Sequence, residues 1–144
     1  MLKEKPLRIF LAEDDEDDRE FFRLALKKVN SLAQLTVVAN GREASSFFKE
    51  TSVLPHYVFL DINMPLVNGI ECLREIRQVH PPELLPVIML STTKAPHMIA
   101  NSMESGANFY LQKPNRLAEL ANQLEYCFEN LTEPFPEPRI VTNS

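Results

Sequence analysis

The sequence predicts an α/β fold in which a parallel sheet carries helices on both faces. Three observations lead there. Five short apolar runs alternate with stretches of helical periodicity along the chain. The third run, Tyr57-Val58-Phe59-Leu60-Asp61-Ile62, is apolar almost throughout, as suits a strand covered on both faces. Polar or charged residues stand where several of the runs stop. In an open parallel sheet that edge is where ligands gather.

The elements follow in order. Leu7 to Ala12 is apolar and β-prone, a buried first strand. Phe21, Phe22, Ala25, Leu26 and Val29 then recur at helical spacing, so helix one runs from about Glu16 to Asn30. Glu16, Asp17 and Asp18 in its first turn are accounted for by the helix dipole. Leu35 to Ala39 is a β-branched second strand, and Asn40-Gly41 makes the turn after it. Arg42 to Glu50 form a short helix with Ala44, Phe47 and Phe48 inward. After the third strand, Met64-Pro65-Leu66-Val67-Asn68-Gly69 is a loop by its Pro and Gly. Ile70, Leu73, Ile76 and Val79 mark helix three, which Pro81-Pro82 stops. Pro86 to Leu90 is strand four. Helix four starts near Pro96, carries Met98, Ile99 and Met103, and ends near Gly106. Its apolar stripe is the poorest of the five. Asn108 to Gln112 is strand five. Leu117, Leu120, Ala121, Leu124, Phe128 and Leu131 line one face of the last helix. From Thr132 to Ser144, prolines at 134, 136 and 138 rule out helix and leave an extended or disordered tail.

Right-handed crossovers restrict the ways five such units can wind. A chain of 144 residues favours one domain and a flavodoxin-like (βα)5 sandwich, with strand order 2-1-3-4-5, over a full dinucleotide-binding fold. Net charge is −5 and there is no basic cluster, so the footprint of a nucleic-acid binder is missing. Cys72 and Cys127 lie far apart and read as residues of a reducing compartment, not a disulfide framework. The start, Met1 to Lys5, leads into an apolar run too short for a signal peptide, and no stretch is long enough to span a membrane. A cytoplasmic location is the expectation.

The strand ends carry the chemistry. Glu13 and Asp14 follow the first strand, Asp61 closes the third, Ser91 follows the fourth and Lys113 the fifth. Taken singly, each has an ordinary explanation: a turn aspartate, a capping serine, a surface lysine. On one edge of one sheet they converge. Three carboxylates there repel one another unless a cation sits between them. Oxygen-only ligands suit Mg²⁺ or Mn²⁺ better than zinc. Such a set fits phosphoryl transfer, with one carboxylate as nucleophile and Lys113 and Ser91 on the transferred oxygens. His56, His80 and His97 are scattered and lack ligand spacing.

The motifs Glu13-Asp14, Leu60-Asp61-Ile62-Asn63-Met64-Pro65 with Asn68-Gly69, Leu90-Ser91-Thr92, and Gly106-Ala107 through Lys113-Pro114 resemble those of a receiver domain of two-component signalling, of the chemotaxis-regulator type. The resemblance covers residues 7 to 131. It implies a receiver domain over 1–131, followed by a Pro-rich tail over 132–144 with no output domain. It implies that Asp61 takes a phosphoryl group from a sensor histidine kinase in a Mg²⁺-dependent reaction. It further implies that Asp14, Asp61 and the Asn63 carbonyl hold the metal, with Glu13 acting through water. Ser91 and Tyr110 match the switch pair and Lys113 the phosphate-pairing lysine. The expected output is contact between proteins, not turnover of a substrate. The face of helix four, strand five and helix five would bind a partner or a second copy of the chain.

Other readings differ in their demands. An intermediate carrier in a phosphorelay would use the same residues. A free-standing phosphatase with an aspartyl nucleophile usually has a second acid two residues on, where this chain has Asn63. A flavin carrier on the same fold needs phosphate-binding amides and hydroxyls after strand one, where six consecutive acids would repel phosphate.

Overall fold

The computed structural model describes residues 6–132 and the backbone of 139–141; residues 1–5, 133–138 and 142–144, with the leader expectation and the tail prolines, lie outside the described residues. The elements are β1 (Arg8–Ala12), α1 (Glu16–Val29), β2 (Gln34–Val38), α2 (Gly41–Glu50), β3 (Tyr57–Asp61), α3 (Gly69–Arg77), β4 (Val87–Ser91), α4 (Pro96–Glu104), β5 (Phe109–Gln112), α5 (Leu117–Asn130) and β6 (Arg139–Val141). The sheet order is β2-β1-β3-β4-β5-β6, and every pairing is parallel. The predicted order 2-1-3-4-5 is present, and a sixth strand extends it beyond β5. Part of the tail, read as extended or disordered, is therefore a strand. Phe109, Tyr110 and Leu111 pair with 139, 140 and 141.

Alternation along the strands splits the core into two layers. Phe10, Ala12, Val58, Leu60 and Met89 face α2 and α3, where Ala44, Phe48, Leu73 and Ile76 are buried. Ile9, Leu11, Phe59, Ile88 and Leu90 face α1 and α5, where Phe22, Leu26, Leu120 and Leu124 are buried. β3 and β4 are buried at every position, which explains their unbroken apolar runs. β2, at the sheet edge, alternates toward solvent.

Local chemistry sets the helix starts. Asp15 caps α1 by accepting from Asp18 N. Asn68 and Glu71 form a reciprocal capping box on α3. Gly69 is required at this entry, because a Cβ there would lie 2.3 Å from the Asp61 carbonyl oxygen. α4 has no side-chain cap and buries only Ser102 fully, matching its weak stripe. Met98, Ile99 and Met103 are partly buried against the core. Val79, read as the last inward residue of helix three, lies beyond α3 and is 70% exposed. The helix has ended before it, and its N–H donates to Ile76 O at 3.1 Å in the closing turn.

Candidate functional site: an acidic centre at the sheet edge

The register of the central strands builds the site. Ala12 is level with Leu60, so Glu13 and Asp61 leave their strands side by side. Asp61 is level with Leu90, and Ser91 with Gln112, so Ser91 and Lys113 follow one step further along. Backbone bonds lock the neighbours: Ile62 N donates to Leu90 O at 3.0 Å, and Lys113 N to Ser91 O at 2.8 Å.

Lys113 Nζ reaches into the acids. It lies 2.7 Å from Glu13 Oε1, 3.1 Å from Asp18 Oδ2 and 3.4 Å from Asp61 Oδ1. Glu13 and Asp61 are buried, whereas Asp14 is exposed at the rim. One oxygen each from Glu13, Asp14 and Asp61 lie within 4.8 Å of one another.

Burial of acids in such a cluster disfavours their charge. Burial pushes the Glu13 carboxyl up to about 7; the hydrogen bond from Lys113 resists this and the charge of Asp61 adds to it. Asp61 is also raised, first by burial, against the pull of Lys113 and a hydrogen bond from the Asn63 N–H. Burial alone would lower Lys113, but its bond to Glu13 and the charge of Asp61 outweigh this and raise it. Buried, mutually repelling carboxylates form the donor set a divalent cation relieves. All donors are hard oxygens, so the residues present fit Mg²⁺ or Mn²⁺.

The remaining predicted residues fall nearby. Ser91 is completely buried at the end of β4, and its Oγ accepts from Thr93 N at 3.2 Å. It does not open α4, which begins at Pro96. Tyr110 is buried in β5, and its hydroxyl donates to the Thr93 carbonyl at 2.7 Å. Asn63 is exposed in the loop after β3.

Two contributors escape a sequence reading. Asp18 pairs with Lys113 although its place in a helix first turn has a local explanation. Arg19 donates to the carbonyls of Glu13 and Asp14, both at 3.0 Å, and fixes the start of α1 against the end of β1. The only available signal was the density of the acidic run, which does not indicate which acid turns inward.

Comparison with known proteins shows the family. Residues 9–125 match the family described as response regulator receiver domain. The chain belongs to that family, whose members act in two-component signalling. It is 29% identical over 138 residues to response regulator Rcp1 of Synechocystis sp., covering 90% of this chain and 94% of that protein. It is 32% identical over 114 residues to chemotaxis protein CheY of Thermotoga maritima, covering 75% and 92%. Among solved structures it resembles the phosphorylated cyanobacterial phytochrome response regulator RcpA, with a TM-score of 0.78 at 27% identity, over 94% of this chain and 100% of that one. The Mn²⁺-bound form of Rcp1 gives 0.74 at 28% identity, over 93% and 100%. Among the described residues, no helix is long and apolar enough to cross a membrane.

Proposed function

We propose that the chain is a cytoplasmic phosphorylation switch whose acceptor is Asp61. The observation that carries this is the buried Asp61 carboxylate beside Lys113 and two further acids, at the sheet edge where ligands collect. A sensor histidine kinase is the expected donor. An Asp61 Oδ bonds to phosphorus as the P–N bond of the donor's phosphohistidine breaks. The electron pair of that bond goes to the imidazole nitrogen, which takes a proton from solvent. Asp14, Asp61 and the Asn63 backbone carbonyl would hold Mg²⁺, with Glu13 bound through water. When bound, the ion supplies positive charge that shields the incoming phosphoryl group from the acids. Lys113 pairs with the phosphoryl oxygens, which add roughly −1.5 to −2 charges at one point.

The signal then leaves through the fold. The Ser91 hydroxyl turns toward the phosphoryl oxygens and draws the loop after β4 with it. Tyr110, bonded to Thr93 in that loop, responds. The face of α4, β5 and α5 then binds a partner protein or a second copy of the chain. α4 is suited to move, since it has no capping bond and buries only Ser102 fully.

Asp61→Asn tests the core of this reading. With a small phosphodonor and Mg²⁺, mass spectrometry should find the phosphoryl group on the wild type and none on the variant. Comparable incorporation in both would remove Asp61 from its role.

A further inference from the structure

The Lys113 ammonium has three donors and three carboxylate neighbours. Glu13 and Asp61 belong to the acidic centre. Asp18 does not: it stands in the first turn of α1, and its side chain is 46% exposed. A first-turn acid serves the helix dipole equally well when it points to water. Glu16 and Asp17, its neighbours in the same turn, are both exposed. Asp18 instead bonds a lysine 95 positions away. Both ends of that contact are fixed by the backbone. Arg19 pins the start of α1 to the carbonyls of Glu13 and Asp14, and the Lys113 N–H is held by Ser91.

We propose that Asp18 is a positioning residue that competes with the phosphoryl group on Asp61 for Lys113, holding the ammonium in the unphosphorylated protein and releasing it when Asp61 is phosphorylated. This rests on the reading of Asp61 as the acceptor. The three donors of Lys113 already face three carboxylates, so a phosphoryl oxygen on Asp61 adds an acceptor beyond its capacity. The lysine has to give up a partner to bind it. Glu13 is almost fully buried, and losing its cation would leave an uncompensated charge in the interior. Asp18 is half in water, which replaces the lost contact by hydration. Asp18 is therefore the partner that costs least to release. It stabilises the resting form and so weakens capture of a phosphoryl group.

Beryllofluoride with Mg²⁺, a phosphoryl mimic for aspartate, tests this by NMR titration. Asp18→Asn should bind it about two- to fivefold more tightly than wild type, the range a half-exposed ion pair allows. Asp18→Glu should restore the wild-type affinity. Asp17→Asn removes the same charge from the same turn without touching Lys113, and should leave the affinity unchanged. Equal tightening by Asp17→Asn and Asp18→Asn would reduce the effect to the general charge field and overturn the proposal. So would an unchanged affinity in Asp18→Asn. A wild type that fails to bind beryllofluoride would instead remove Asp61 as acceptor, and this inference with it.

Discussion

Glu13 shows what a single buried acid does to the stability of this domain. Its carboxyl titrates near 7 when folded, against an ordinary value of 4.5. The folded state therefore binds more protons than the unfolded state between those two values. Stability of the metal-free protein should fall as pH rises from about 4.5 to 7 and level off above. Thermal unfolding at pH 5 and pH 7.5 should show this fall, and Glu13→Gln should reduce it. Adding Mg²⁺ at pH 7.5 should recover the loss, because the cation offsets the same repulsion. At this scale much of the site was legible. Glu13, Asp14, Asp61 and Lys113 announce themselves by ending strands, and parallel register brings strand ends together. Asp18 was not legible, since its partner lies at the far end of the chain and its sequence position already had a sufficient local cause.

Among the elements, α3 depends on a tie that nothing in the sequence marks. Arg77 in its last turn donates to the carbonyls of Gly106 at 2.8 Å, His80 at 3.0 Å and Leu85 at 2.8 Å. It also reaches Asn108 Oδ1 at 2.7 Å, an atom that accepts from Val87 N as well. One guanidinium thus joins α3, the approach to β4 and the turn before β5. Gly106, at φ +105°, belongs to the same arrangement: a Cβ there would lie 3.0 Å from the Arg77 side chain. Arg77→Met keeps the stem and leaves several carbonyls without a donor. It should cost on the order of 3 kcal/mol in urea unfolding, the penalty for unsatisfied buried groups. A loss below about 0.5 kcal/mol, as at an ordinary surface site, would show that water replaces the guanidinium. A lone arginine near a helix end reads as a dipole partner, so its reach across three elements emerges only in the fold. The helices themselves were legible where their stripes were strong. α5 was read from its leucines, and the one misplaced position of α3, Val79, followed from extending its stripe past the helix end.

For the whole molecule, the sheet order came from alternating periodicities and the handedness of crossovers, and five strands of it were readable. β6 was not. Arg139-Ile140-Val141 is too short to show a period, and the prolines before it argue against regular structure. Yet its backbone pairs with β5 beside the proposed output face. Ending the chain at Thr132 should lower stability by about 1–3 kcal/mol from the lost ladder bonds. It should also leave β5 as an open edge prone to pairing with other chains, which sedimentation at rising concentration would detect. An unchanged melting point with no association would mean that β6 contributes nothing to the folded state. The position of β6 also has a temporal consequence. α5 separates it from β5, so during synthesis β5 leaves the ribosome well before the strand that covers it. For that interval the nascent domain carries an uncovered edge, and it is then, more than in the finished protein, that a neighbouring chain can take the place of β6.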